Sequence, residues 1–129
     1  MPYFQQHIVM GNLGRDPELK YLPDQTPVLN ISIVYKETWK NKDGIEQEQT
    51  TWFAATAFNH DAINISKMMK KGDCIQIQGK TRFKSYMDSN SGIQKTVSEI
   101  RISSWQAIRY GNRPQMTENE SYVGIHDLM

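Results

Sequence analysis

Cysteine, long apolar runs and a strong charge of either sign are all scarce in this sequence of 129 residues. The single cysteine, Cys74, excludes a disulfide within the chain and any metal site built from several cysteines, and it suits a reducing cytoplasm. No segment approaches the roughly 18 consecutive apolar residues of a membrane helix, and the N-terminus has no signal-peptide or transit-peptide pattern. We therefore expect a cytoplasmic protein without a membrane segment.

The charges are unevenly divided, although the net charge is only +1. Residues 1–110 contain 14 Lys and Arg against 11 Asp and Glu, whereas residues 111–129 contain 1 against 3. The length fits one domain. We predict a mildly basic domain over residues 1–110, followed by a short acidic tail over residues 111–129.

Alternation of apolar and polar residues predicts five strands. The first is FQQHIVM, and a loop is expected from Gly11 to Pro27. The second is the long segment VLNISIVYKETW, and the hairpin signal Asp43-Gly44 returns the third, which ends in TTWFAATAF, antiparallel to it. The fourth and fifth are CIQIQGKTRFKSY and KTVSEIRISSWQAI, joined by the polar hairpin tip DSNSGIQ.

The period changes between the third and fourth strands. Ala62, Ile65 and Met69 recur at helical spacing ahead of Gly72, which predicts a single helix of about three turns. Five strands with one helix inserted after the third indicate an all-β protein with one short helix, namely an OB-fold, a five-stranded Greek-key barrel.

Two large rings share one face of the third strand. Side chains alternate along a strand, so Trp52 and Phe58 lie on the same side with only Ala54 and Thr56 between them. The opposite side already supplies enough apolar surface for a core. We therefore expect the Trp52/Phe58 side to form a second, separate surface, whereas Trp105 is expected in the core.

The segment KTRFKSY carries cations and a ring at alternate positions, so that Lys80, Arg82, Lys84 and Tyr86 are expected on one side of the fourth strand. Phosphates require mobile positive charge and exposed bases require flat apolar surfaces, so this pattern favours a single strand of nucleic acid as ligand. A row of Lys and Arg also protects a sheet edge, and the pattern alone leaves that alternative open.

No catalytic or metal-binding arrangement emerges from the sequence. His7, His60 and His126 are scattered without the spacing of metal ligands. The segment GNLGRDP lacks the GK[ST] ending of a phosphate loop, and no helix follows it. We expect a protein that is not an enzyme and that has no metal and no cofactor.

Several landmarks together resemble the bacterial-type single-stranded DNA-binding protein (SSB) family. They are MGNLGRDPELKYLP, KETWKNKDG, TTWFAATAF, a helix ending in KKG, and KTRFKSY, and they cover roughly residues 4–109. The resemblance implies an OB-fold that assembles as a homotetramer and wraps single-stranded DNA without sequence preference. It implies that bases stack on Trp39, Trp52, Phe58 and Tyr86. It also implies basic contacts from Lys20, Lys40, Lys42, Lys70, Lys71, Arg82 and Lys84.

The sequence departs from the family pattern at several of these places. Tyr86 stands where the best-known members have Trp, Phe53 and Ala54 replace a polar group and a cation after Trp52, and His60 replaces a cation at the helix entry. These changes predict an affinity below the family norm.

Trp39 presents a conflict between the resemblance and the strand pattern. Strict alternation places it on the same side as Leu29 and Ile31, so its exposure is expected to require a bend or bulge before it.

The tail lacks both the long Gly/Gln/Pro-rich linker and the strongly acidic end common in bacterial members. Its acids, Glu118, Glu120 and Asp127, are spread apart, and we expect a loose terminus that recruits no protein partner. A short tail of this kind would suit a phage, plasmid or other mobile-element version of the family.

The sequence thus predicts a nucleoid-associated protein that binds and protects single-stranded DNA in replication, recombination and repair. Two alternatives remain at this stage. One is a primosome-type OB-fold protein that acts mainly as a protein-interaction adaptor, and the other is an RNA- or oligosaccharide-binding OB module.

Overall fold

A computed structural model describes residues 2–111 of the chain. The predicted tail lies outside the described residues from residue 112 onward, so the expectations for it stay predictions. The described elements, in chain order, are β1 (His7–Leu13), β2 (Glu18–Tyr21), β3 (Pro27–Lys40), β4 (Glu46–Phe58), α1 (Asn59–Met68), β5 (Cys74–Met87) and β6 (Gln94–Arg109).

Five of the six strands close into a barrel. The sheet order is β1-β5-β6-β4-β3-β2, and a further pairing between β1 and β3 closes it. Strands β4 and β6 pair in parallel, whereas the other pairings are antiparallel. With α1 between β4 and β5, this is the OB-fold barrel that the sequence predicted.

The segment between the first two predicted strands differs from the expectation. A short strand, Glu18–Tyr21, pairs with β3 outside the barrel where the sequence predicted a loop. Strand β1 also extends to Leu13 instead of ending at Met10. The reason for the extension is burial, because Leu13 pairs with Ile33 and its side chain belongs to the core.

The core lies inside the barrel and follows the predicted alternation. Leu29, Ile31 and Ile33 of β3 and Ile75 and Ile77 of β5 are buried. Helix α1 covers the core through Ala62 and Ile65, together with Met69 just beyond its end. Trp105 is partly buried and packs against this cluster, as predicted.

The β3–β4 hairpin extends beyond the core. Its turn contains Gly44 at a φ of 77°, a backbone conformation that glycine adopts without a steric penalty. The side chain of Asn41 accepts hydrogen bonds from the N–H groups of Asp43 and Ile45 across the turn. The pairing runs in continuous register from Val28 opposite Phe58 to Lys40 opposite Glu46.

Candidate nucleic-acid interface

The outward side of four adjacent strands forms one continuous surface, here called the strand face. Trp52 lies opposite Val34, and Thr56 lies opposite Asn30 on β3 and beside Arg101 on β6. Across the β5–β6 ladder, Arg82 lies opposite Glu99. Because side chains alternate, the strand face comprises Asn30, Ser32 and Val34 of β3; Trp52, Ala54, Thr56 and Phe58 of β4; Lys95, Val97, Glu99 and Arg101 of β6; and Lys80, Arg82, Lys84 and Tyr86 of β5.

Trp52 is the large exposed ring of β4, with 61% of its surface accessible. Its position depends on Gly14, in the GNLG segment that follows β1. A methyl group added to Gly14 would lie 2.2 Å from Cζ3 of Trp52, far inside van der Waals contact. Gly14 therefore leaves the space that the indole occupies, and the N–H of Gly14 is itself held by the carbonyl of Ser32 at 2.9 Å.

Phe58 is the last residue of the same strand, and a cation covers part of its ring. The guanidinium carbon of Arg101 is 5.0 Å from the centroid of the Phe58 ring, within the range of a cation–π interaction. The Nε atom of Arg101 is buried and has no hydrogen-bond acceptor among residues 2–111. One side of the Phe58 ring is thus occupied by a guanidinium rather than by solvent.

The predicted residues of KTRFKSY lie together on the strand face. Lys80, Arg82, Lys84 and Tyr86 are all exposed, and 48% of the Tyr86 surface is accessible. The ammonium of Lys84 forms an ion pair of 3.1 Å with Oε1 of Glu99. Strand β5 thus places Tyr86 and three cations on the same surface as Trp52 of β4.

Glu99 is the carboxylate within this basic surface, and its side chain is only 16% exposed. Its Oε2 atom accepts a hydrogen bond of 2.8 Å from the hydroxyl of Thr56. Burial opposes ionisation, but the Thr56 hydrogen bond and the cations of Lys84 and Arg101 outweigh it, so the pKa of Glu99 lies below its ordinary value. Glu99 is therefore ionised at neutral pH.

The other predicted basic residues are spread around the barrel. Lys20 of β2 lies opposite Val28, which in turn lies opposite Phe58, so it extends the strand face beyond β3. Lys40 is at the tip of the β3–β4 hairpin, and Lys42 is in its turn. Lys70 and Lys71 follow α1, and the N–H of Lys71 donates to Asp16 of the β1–β2 loop, so these two are not on the strand face.

Trp39 is 46% exposed, but the bend or bulge that was predicted before it is not the reason. No register irregularity precedes it, since the β3–β4 pairs are continuous through Trp39 and Gln47. It is exposed because this part of the hairpin lies beyond the barrel, where no core covers it. By alternation, Trp39 and Trp52 lie on opposite faces of the β3–β4 ladder.

Four charged residues on or beside the strand face were absent from the predicted set, namely Lys36, Lys95, Glu99 and Arg101. Lys36 lies opposite Thr50, on the same side of the ladder as Trp52, and counting outward from the Asp43-Gly44 turn would have found it. Arg101 and Glu99 reach the surface through the parallel β4–β6 pairing, which no local pattern in the sequence indicates.

The described residues form neither a metal-binding cluster nor a membrane-spanning helix. Residues 2–111 contain no group of three or more His, Cys, Asp or Glu side chains arranged to hold a metal ion. Within the same residues, no helix is long and apolar enough to cross a membrane.

A solved structure with the same fold is the SSB of Plasmodium falciparum in complex with single-stranded DNA. It superimposes with a TM-score of 0.72 at 18% sequence identity, over 84% of this chain and 97% of that chain. At this identity the likeness establishes the fold alone.

Two curated relatives are closer in sequence. Single-stranded DNA-binding protein 1 of Xylella fastidiosa is 33% identical over 101 residues, which are 78% of this chain and 74% of the relative. The single-stranded DNA-binding protein of Neisseria meningitidis is 33% identical over 93 residues, and the match spans about half of its length, 53%. The model of the single-strand binding protein family matches residues 4–108, nearly all of the described barrel, and this chain belongs to that family.

Proposed function

We propose that this chain binds single-stranded DNA without sequence preference and protects it during replication, recombination and repair. The observation that carries the proposal is the strand face, on which the exposed rings of Trp52 and Tyr86 lie among Lys80, Arg82 and Lys84. The relatives named as single-stranded DNA-binding proteins support the same ligand. We place the protein in the cytoplasm, at the nucleoid, as a binding protein without catalytic activity.

The chemistry of the surface accounts for sequence tolerance. Every base has a π-face, so stacking on Trp52 and Tyr86 accepts any base, and cations that follow the backbone contact phosphates irrespective of sequence. Phe58, Lys20, Lys40 and Lys42 would extend this path across β2 and the hairpin. Trp39 would contact DNA only where the strand passes the opposite face of the hairpin, and Lys70 and Lys71 only where it passes α1. An adaptor that works through proteins alone has no need of exposed rings among cations, and we therefore favour a DNA ligand.

A competition titration tests the proposal. Fluorescein-labelled oligo-dT is bound to the full chain, and anisotropy is followed while unlabelled dT, rU or duplex DNA of equal length is added. We expect dT to compete best and the duplex least, with binding that weakens as salt rises. Failure to bind dT, or equal competition by the duplex, would contradict the proposal, and stronger competition by rU would identify RNA as the ligand.

We also propose that the chain assembles as a homotetramer. Ile8 and Met10 of β1 are 54% and 50% exposed, and they lie opposite Gln78 and Gln76 of β5 on the outside of the barrel, away from the strand face. Exposed apolar residues beside neutral polar ones make a surface suited to contact between copies.

Light scattering of the full chain tests this assembly. We expect a mass near four times the 15.0 kDa of the chain, and a smaller mass for Met10→Asp, because a buried charge disfavours the contact. Lys67→Asp, on the exposed side of α1, is the control that leaves the mass unchanged. A monomer mass at micromolar concentration would contradict the proposal.

A further inference from the structure

Glu99 stands out on the strand face by its charge. Among the outward residues of β5 from Lys80 to Tyr86 and of β6 from Lys95 to Arg101, it is the only acidic side chain. Arg82 lies directly opposite it, and Arg101 is two residues along the same strand. A carboxylate in this position opposes the binding of phosphate.

The contacts of Glu99 hold its carboxylate in a largely buried position on the strand face. Oε2 accepts the 2.8 Å hydrogen bond from Thr56, while the alternative acceptor for that hydroxyl, Oδ1 of Asn30, is farther away at 3.3 Å. Oε1 lies against the Lys84 ammonium and is itself buried. Oε2 is hydrogen-bonded, whereas Oε1 is buried beside the ammonium and accepts no hydrogen bond from residues 2–111. Because the side chain is only 16% exposed, the edge of a base has little access to either oxygen.

The two partners of the ion pair differ greatly in exposure. The Glu99 side chain is 16% exposed and fixed, whereas the Lys84 side chain is 63% exposed on a flexible stem. A phosphate that approaches the strand face can therefore draw the ammonium away, while the carboxylate has to stay in place.

We propose that Glu99 is an internal competitor for phosphate that occupies Lys84 in the free protein and sets the affinity for single-stranded DNA through it. This rests on the function proposed above. Binding exchanges a Lys84–carboxylate contact for a Lys84–phosphate contact, and the released carboxylate then faces the bound strand. Lys84 therefore contributes less to the affinity for DNA than an unpaired lysine would. A lower affinity favours rapid dissociation and rebinding of the DNA.

The test is a double-mutant cycle with oligo-dT. Glu99→Gln keeps the shape of the side chain and removes its charge, and Lys84→Met keeps the apolar stem and removes the ammonium. Ion pairs at protein surfaces are weak, and in this pair the Lys84 ammonium is the exposed partner. We therefore expect Glu99→Gln to bind dT about two- to fivefold more tightly, with a salt dependence steeper by up to about 0.7 in log K against log salt. In the Lys84→Met background the same change should have little effect.

Asp43→Asn is the matched control, because it removes one negative charge while Asn-Gly keeps the hairpin turn. It should leave the affinity close to that of the parent. Unchanged or weaker dT binding by folded Glu99→Gln would overturn the inference, as would a gain that persists fully with Lys84→Met. A parent chain that fails to bind dT would instead refute the proposed function, so the two failures are distinguishable.

A pH titration serves if Glu99→Gln does not fold. Thymine does not titrate in acid, and the pKa of Glu99 lies below its ordinary value, so the affinity of the parent and of Lys84→Met for dT is compared from about pH 6 down to about pH 3, where both proteins are first shown to remain folded. The charged side chains around Glu99 are Lys84 and Arg82 of β5 and Arg101 of β6, and the titratable His7 of β1 lines the same cleft; all but Lys84 are common to both proteins. A steeper rise of dT affinity with falling pH in the parent than in Lys84→Met supports the inference. Parallel curves of affinity against pH overturn it.

Discussion

The exposed ring of Trp52 offers the sharpest single test of base stacking. Its indole is 61% exposed and lies outside the barrel core, so replacing it with alanine removes little buried surface. Base–aromatic stacking is worth about 1–3 kcal/mol per base, and each 1.4 kcal/mol is a factor of ten, so Trp52→Ala should weaken oligo-dT binding by about 5- to 150-fold per subunit.

The assay pairs affinity with stability. Anisotropy of labelled oligo-dT gives the affinity, and urea denaturation gives the free energy of unfolding for the same samples. Trp52→Phe, which retains a flat ring, should recover most of the lost affinity. Trp105→Ala is the contrast: its ring packs against the core, so it should lower the free energy of unfolding by about 2–3 kcal/mol.

Two results would refute this reasoning. One is a folded Trp52→Ala protein that binds dT as tightly as the parent, which would mean that no base stacks on this ring. The other is a loss of stability in Trp52→Ala equal to that in Trp105→Ala, because the weakened binding would then reflect unfolding.

Three further predictions concern the charges and the fold around this surface. The double change Arg82→Ala/Lys84→Ala should weaken binding to all sequences alike and flatten log K against log salt by about 0.7 per lost phosphate contact; an unchanged slope in anisotropy titrations would reassign these cations to edge protection. Gly14→Ala should displace the Trp52 ring and weaken dT binding in a protein that remains folded, and dT affinity equal to the parent's would show that the ring's position is unimportant. Asp73→Ala removes a buried carboxylate that accepts the N–H groups of Lys70 and Gly111, and should lower the free energy of unfolding in urea by about 3 kcal/mol; a loss below about 0.5 kcal/mol would contradict that role.

Local patterns in the sequence were sufficient to predict most of the barrel. Alternation identified the buried side of β3 and β5, because each strand contributes one side to a single core, and it placed Trp52 and Phe58 together on the other side. The Asp43-Gly44 turn fixed the pairing of β3 with β4. These features depend on residues close together in the chain.

The remaining features depend on contacts between distant parts of the chain. Strand β2 has a weak pattern of its own and exists through its pairing with β3. The Thr56–Glu99 hydrogen bond and the packing of Arg101 on Phe58 join residues more than 40 positions apart through the parallel β4–β6 pairing. Exposure of Trp39 follows from the length of the hairpin relative to the barrel, which alternation alone does not reveal.

Photo-crosslinking tests most directly whether single-stranded DNA lies on the strand face. The full chain is bound to oligo-dT containing 5-iodouracil, irradiated, digested with trypsin and analysed by mass spectrometry. We expect adducts on the peptide of residues 43–67, which contains Trp52 and Phe58, and on residues 85–95, which contain Tyr86. Adducts confined to residues 1–15 and 102–109, which carry Tyr3, Phe4 and Trp105 instead, would contradict the assignment of this surface.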